Sequence, residues 1–424
     1  MRICLRAKGV SNLKAAGIVC EYNPIHSGHT RHIEETRRAL GGEPSAIVCV
    51  MSGNFVQRGD FAVFSKHARA LAAVRSGADL VVELPSPYAL SSAEGFARAG
   101  VHILDRLCDY ISFGSESGDI VALTKAAEGI VTPGADIAVK EWLSRGVPYA
   151  AALQKAADTV LPDARADLFK TPNNLLGIEY LKAIAATGSS LKPITVKRTG
   201  GAHDGAAGCS SSALRKMLYN GGTPWRHVPR GAAGAYKEEI AAGRGPVTMK
   251  SCEIAMLSRL RAMSIEEFAE LPGISEGLDR RFARYAATEP TAAAILEKVK
   301  TKRYAMSRIR RMLMCACLGI TAADTREPPP YIRVLALNAV GAKLIKKART
   351  GAGLPIITKP ASAHGLPGHA GELFCKEAAA TDMYVLAYPD ESRRFGGQEW
   401  LISPCVVRSG VYPGLCESVV GAHE

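Results

Sequence analysis

Two histidines three residues apart, His26 and His29, with Gly28 between them, stand where they could handle a phosphate group. They follow a short apolar run, Gly17-Ile18-Val19-Cys20, and precede Thr30–Leu40, which reads as a helix. A helix N-terminus offers unpaired backbone N–H groups and about half a positive charge. Gly28 lets the chain approach a ligand with no Cβ in the way. Imidazole donors on His26 and His29, aimed at the same place, would stabilise charge on a departing pyrophosphate, an electrostatic rather than a nucleophilic role. No Walker lysine motif occurs, so the pattern is not a P-loop. A second candidate is CSSSALRKML, residues 209–218, in which hydroxyls including Ser211 open a helix and Arg215 follows. Its plainer alternative is a serine N-cap with a solvated arginine.

The elements that must position these groups repeat one pattern. Strand-length apolar runs at Ala16–Cys20, Ala46–Met51, Leu80–Leu84, Tyr110–Phe113 and Ile194–Val196 alternate with helix-like stretches at 28–40, 66–76, 91–104 and 117–131. This predicts a Rossmann-like α/β domain with a parallel sheet covered on both faces. Glu21, Gly53, Pro85, Gly114 and Arg198 follow the strands, and ligands of such sheets sit outside the strands' carboxyl ends. The span 132–190 reads as helical, with Pro172-Asn173-Asn174 placed to cap a helix. A Gly/Pro-rich stretch near residue 225 marks a boundary, which predicts a catalytic domain at 16–225 and a mainly helical, basic domain at 226–424. Within the latter, YIRVLALN and DMYVLAYP read as strands around a helix at 341–349.

The formal charge is +13, and residues after 225 carry 28 Lys/Arg against 20 Asp/Glu. That balance favours a polyanionic partner. Eleven cysteines without a CxxC pair fit reduced thiols in a cytoplasmic protein, with neither a disulfide framework nor a structural metal. No run is long and apolar enough to span a bilayer, so no membrane partner is expected.

The strings GIVCEYNPIHSGH, MSGNFVQRGDFAVFSKHARA, GADLVVELPSPYA, SFGSESGD, TPNNLLGIEYLKAI, VKRTGGAHD and SSSALRKML occur in this order, and EGLDRRFARYA, KTKRYAMSRIRRML, YIRVLALN and GQEWLISP continue the series. Together they resemble the bacterial tRNA(Met) cytidine acetate ligase family of the HxGH nucleotidyltransferase superfamily, over nearly all of residues 16–405. Ile25 and Ser27 stand where that family more often has phenylalanine and asparagine. The resemblance implies a HUP-type fold. It also implies an ATP-dependent ligase that makes acetyl-adenylate and acetylates N4 of the wobble cytidine of elongator tRNA(Met). ATP, with Mg2+, and acetate would be its other substrates.

Carried onto this chain, the ATP site comprises Ile18, Val19, Cys20, Glu21, Tyr22, Asn23, Pro24, Ile25, His26, Ser27, Gly28, His29, Thr30 and Arg31, then Gly114, Asn173 and Arg198, with Ser211 and Arg215 from the phosphate loop. Gly114 could approach adenine or ribose, Asn173 could bond either or cap its helix, and Arg198 suits a phosphate, the purine face or a surface ion pair. Asn54, Gln57, Arg58 and Lys66 are candidates for acetate or for tRNA. Glu21 reads as a carboxylate that orders the loop, with a base role as the alternative. The basic helix around KTKRYAMSRIRRML offers Lys302, Arg303, Arg308, Arg310 and Arg311 to tRNA phosphates, or is a solvated face. A small-molecule adenylyltransferase would explain the histidines without needing the basic second half. A non-catalytic RNA-binding protein would not need the intact motif.

Overall fold

The computed structural model describes residues 13–41, 44–147, 149–160, 166–198, 209–275, 277–301, 304–351 and 353–408. β-Branched and aliphatic runs make the strands. β1 (Lys14–Cys20) leads into α1 (Ser27–Ala39), and β2 (Ser45–Ser52), buried along its whole length, leads through a hairpin into α2 (Lys66–Val74). β3 (Leu80–Leu84), α3 (Ala93–Leu104), β4 (Tyr110–Ser115), α4 (Pro172–Thr187) and β5 (Lys192–Lys197) complete the first half. β1 pairs in parallel with β2 and β4, which places the reversal of strand order at the carboxyl end of β1. The five strands read from the sequence are therefore all present.

The sheet does not stop at residue 225. After α5 (Ser211–Tyr219), α6 (Met306–Leu318) and other helices, β6 (Ile332–Leu337) returns to it. α7 (Gly368–Val385) and β7 (Cys405–Val406) follow, and the order is β7-β6-β3-β2-β1-β4-β5, with a short strand Ile356–Ile357 beside β6. β6 runs antiparallel to β3. The sequence reading placed the strand YIRVLALN in the second half without a partner sheet, because local sequence cannot say which sheet a strand joins. DMYVLAYP is not a strand: its first four residues end α7, where Tyr384 and Val385 are buried.

Two of the core clusters decide the site. One fills the space between the sheet, α3 and α4. The other joins the helices between 249 and 318 with α7, and takes in Phe55 and Phe61 of the hairpin after β2. These two rings pack edge-on at 4.9 Å, and the Tyr384 hydroxyl donates to the Ala62 carbonyl at 2.8 Å. The loop after β2 is thus a buried rivet between the sheet and the helical body. No helix among the described residues is long and apolar enough to cross a membrane.

Candidate active site

The histidine turn is built as a capping box of two imidazoles. His26 is the N-cap of α1, and its Nδ1 accepts from the Gly28 N–H at 3.1 Å. His29 Nδ1 accepts from the His26 N–H at 3.3 Å. A ring nitrogen that accepts from an N–H carries no proton, so each neutral ring holds its hydrogen on Nε2. The rings stack at 3.8 Å with 27° between their planes, which makes a pair of oriented Nε2–H donors. Gly28 is needed for this: a Cβ there would lie 2.9 Å from His26 Cε1. The sequence reading assigned phosphate binding to the two imidazoles together with the first-turn N–H groups. Here the His26 ring occupies that of Gly28, and the N–H groups of His29 and Thr30 bond the His26 carbonyl, so the imidazoles carry the outward donors.

Charge around the turn is positive. Burial, then Arg198, holds His26 at about 4 and His32 at about 4. His29 is driven well below the usual histidine range by burial, then by His26, Arg198 and His32. The rings are therefore neutral at pH 7, and an anion beside them would raise each pKa. His32 also bonds Ser112 Oγ at 3.0 Å, and Thr36 closes that chain at 2.7 Å.

The remaining predicted residues fall into two groups. Ser27, Thr30, Arg31, Gly28 and the histidines lie on the first turn, and Arg198 is exposed with its stem over Gly114. Ile18, Tyr22, Asn23, Pro24 and Ile25 are buried, while Val19 and Cys20 are half-buried on β1. The side chains of the buried group are taken up by support. Asn23 Oδ1 accepts from Val63 N–H at 2.8 Å, the Ile25 N–H donates to Tyr236 Oη at 3.1 Å, and Tyr22 Oη meets Cys49 Sγ at 3.6 Å. Tyr22 holds φ at +45°, a strained value for a non-glycine residue at the bend after β1. The serine-arginine helix clasps the same bend: Ser211 Oγ donates to the Pro24 carbonyl at 3.1 Å and Arg215 Nη1 to that of Asn23 at 2.6 Å. Ser210, not Ser211, is the cap of α5.

Glu21 accepts the Gln57 N–H at 2.9 Å, the loop-ordering role expected of it. Asn173 does not cap α4, whose N-cap is Thr171 with Pro172 following. Its Nδ2 donates to Glu116 Oε1 at 2.6 Å, which draws it to the end of β4. Asn174 anchors the same turn through bonds from the N–H groups of Glu116 and Ser117.

Lys66 and Asn54 are buried and partnered within the protein. Lys66 is 1% exposed and its Nζ meets Glu83 at 2.8 Å and Glu399 at 2.7 Å. Burial opposes the charge on Glu399, but Lys66 and Arg333 outweigh it and hold that carboxyl at about 2. Asn54 Oδ1 accepts the Lys66 N–H and its Nδ2 reaches Thr381. Arg58 is exposed. Lys302 and Arg303 lie outside the described residues.

Arg69 escaped the sequence reading. It is fully buried, and its guanidinium donates to the carbonyls of Glu21, Ser52, Gly53 and Phe64, tying the ends of β1 and β2 together. Tyr236 escaped it too, and no local pattern marks Arg69 or Tyr236, because their partners come from distant parts of the chain. His32, three residues after His29, reads from sequence either as a phosphate-side group or as one that caps or packs, and is not among the predicted site residues. Among the described residues no group of three or more His, Cys, Asp or Glu side chains is placed to hold a metal ion.

A mainly parallel sheet with a paired-histidine turn where its strand order reverses defines a nucleotidyl transferase of the HxGH type. The HIGH Nucleotidyl Transferase family model matches residues 13–399. The tRNA(Met) cytidine acetate ligase of Acetivibrio thermocellus is 34% identical over 92% of this chain and 98% of its own length. That of Caldanaerobacter subterraneus subsp. tengcongensis is 36% identical over 89% and 96%. A crystal structure of Thermotoga maritima TmcAL bound with alpha-thio ATP superposes with a TM-score of 0.85 at 30% identity, covering 94% of this chain and all of that one. The chain belongs to the tRNA(Met) cytidine acetate ligase family.

Proposed function

We propose that this protein is an ATP-dependent tRNA(Met) cytidine acetate ligase. The observation that carries the reading is the stacked pair of Nε2–H imidazoles at the end of β1, in a chain that matches those ligases over about nine-tenths of its length. An acetate oxygen attacks the α-phosphorus of ATP in line with the departing pyrophosphate, forming acetyl-adenylate. His26 and His29 donate from Nε2 to the leaving phosphates, where negative charge builds up. Arg198, over Gly114, adds a guanidinium to the same crevice. The N4 amine of the wobble cytidine of elongator tRNA(Met) then attacks the acetyl carbon. AMP leaves, and the amine proton is lost. The donors around the turn are imidazoles and guanidiniums, which suit anions and not the oxygen shell of Mg2+. Any Mg2+ would arrive with ATP.

The test is ATP–pyrophosphate exchange. It should require acetate and proceed without RNA, and labelled acetate should appear in N4-acetylcytidine from tRNA(Met) by nucleoside mass spectrometry. Exchange that ignores acetate and responds to a phosphomonoester would make the protein a small-molecule adenylyltransferase instead.

The lowered histidine pKa values set a further expectation. A free site with His26 and His32 at about 4 is unprotonated at pH 6. A triphosphate beside the rings favours their charged forms, so the bound pKa values are higher and binding takes up protons. ATP affinity should therefore tighten as pH falls from about 7 towards 5, the range below an ordinary histidine pKa of about 6.5. Calorimetry in two buffers of different ionisation enthalpy measures the uptake, and the same titration of His29→Ala subtracts the nucleotide's own proton. Equal uptake by both proteins would show that His29 stays neutral in the complex.

A further inference from the structure

A cleft of about 870 Å3 lies between α3 and the N-terminal half of α6. None of His26, His29, Arg198 or Arg215 lines it, but Gln57 does, and Gln57 is the residue whose N–H Glu21 holds. The cleft and the histidine turn are thus joined through one hairpin. Gly59 at the hairpin tip, φ +72°, presses directly on the α6 backbone: a Cβ there would lie 2.4 Å from the backbone of Arg310 and Arg311. This packing sorts the basic helix. Arg310 is turned to Asp60 at 3.8 Å, while Arg308 and Arg311 line the cleft.

The cleft's charge is one-sided. Arg98 from α3 and Arg326 join Arg308 and Arg311 along its wall, against a single carboxylate, Glu327. Among the described residues Arg98 and Arg326 are exposed and pair with no carboxylate. Arg311 is half-buried and likewise meets none, and burial lowers its pKa. His102 on the same wall has a buried Nε2 with no hydrogen-bond partner among the described residues. A partly desolvated guanidinium without an acceptor is costly, and acceptors carried by a ligand would complete it. Arg308 lies over the Tyr304 ring at 4.8 Å, and the Tyr149 ring, 38% exposed, stands elsewhere on the lining. Guanidiniums beside aromatic faces suit a nucleic-acid strand with its bases unstacked.

We propose that this cleft receives unpaired nucleotides of the RNA substrate that neighbour the acetylated residue, with Arg98 and Arg311 on their phosphates. The proposal rests on the tRNA reading above and adds where the single-stranded part of that RNA lies. Its volume is within the range of about 300 to 1,000 Å3 usual for bound small ligands, so it holds a nucleotide or two and not a duplex.

The experiment uses the full chain with Arg98→Glu and Arg311→Gln made separately, and Arg310→Gln as the contrast. Arg98 is exposed, so its variant tests the cleft even if the half-buried Arg311 is needed for folding. tRNA(Met) affinity is measured over a range of salt, with acetate-dependent exchange as the check that the catalytic site is assembled. Arg98→Glu and Arg311→Gln should each weaken tRNA binding by about 10-fold. The salt slope should become shallower by about 0.7 for each single-strand phosphate that the variant no longer neutralises. Arg310→Gln should change affinity by less than about 2-fold. Unchanged affinity and slope in Arg98→Glu, with exchange intact, overturns the cleft. So does a larger loss in Arg310→Gln than in the other two. Failure of the unsubstituted protein to bind tRNA at all is a different result and would overturn the tRNA reading itself.

Discussion

Replacing His29 by alanine should slow acetate-dependent ATP–pyrophosphate exchange by about 100- to 1,000-fold, the scale for losing one preorganised donor in an electrostatic site. The substitution removes the Nε2–H donor directly. It also removes the ring that stacks on His26 at 3.8 Å and the acceptor of the His26 N–H, so the second donor loses its orientation. His26→Ala should cost a similar factor, since its Nδ1 is the cap of α1. Neither change should unfold the chain, because losing a cap is worth about 1 kcal/mol and both rings stand at the mouth of the crevice. The loss belongs in the rate of adenylate formation at saturating ATP as well as in ATP affinity. If both variants exchange at the normal rate, the imidazole pair has no part in the chemistry, and the first-turn backbone or Arg198 must carry the phosphates.

Lys66→Met should destabilise the protein by about 3 to 5 kcal/mol, the usual cost of stranding buried charge. Lys66 stands between Glu83 on β3 and Glu399 near the end of the chain, and all three side chains are at most 2% exposed. Without the ammonium, two carboxylates face each other across a desolvated gap, and Arg333 at 3.2 Å from Glu399 can neutralise only one. Chemical denaturation of the single variant gives the cost. Adding Glu83→Gln should recover much of it, because the repulsion goes with the charge. A loss below about 1 kcal/mol would mean that water reaches this network.

The consequence reaches the catalytic turn. The Lys66 N–H is held by Asn54, so the network fixes the hairpin whose Gln57 is bonded to Glu21. A lysine at the start of the helix that follows β2 looked like a ligand group by its type. Its burial follows from residues that are 17 and 333 positions away, which no local pattern contains.

Everything that depends on short range can be read from the order of the residues. Strand and helix periods, the strand-to-helix position of His26 and His29, and the need for a glycine at 28 all follow from spacings of a few residues. The strands at 45–52, 80–84 and most of 14–20 and 110–115 were legible because their burial demands continuous apolar runs, while 192–197, half-buried at the sheet edge, showed only its short apolar middle. The run 18–31 was legible as a candidate site, but not the division within it between residues left on the open first turn and those spent on support. That division depends on Tyr236, Val63 and Arg215, which close on the turn from other parts of the chain. Folding alone brings β6 to the first sheet, sets Arg69 across two strand ends and separates Arg308 and Arg311 from Arg310. The physical reason is the same in each case. A hydrogen bond or an ion pair in a desolvated place is set by which groups the fold brings within about 3 Å, and that distance is unrelated to separation along the chain.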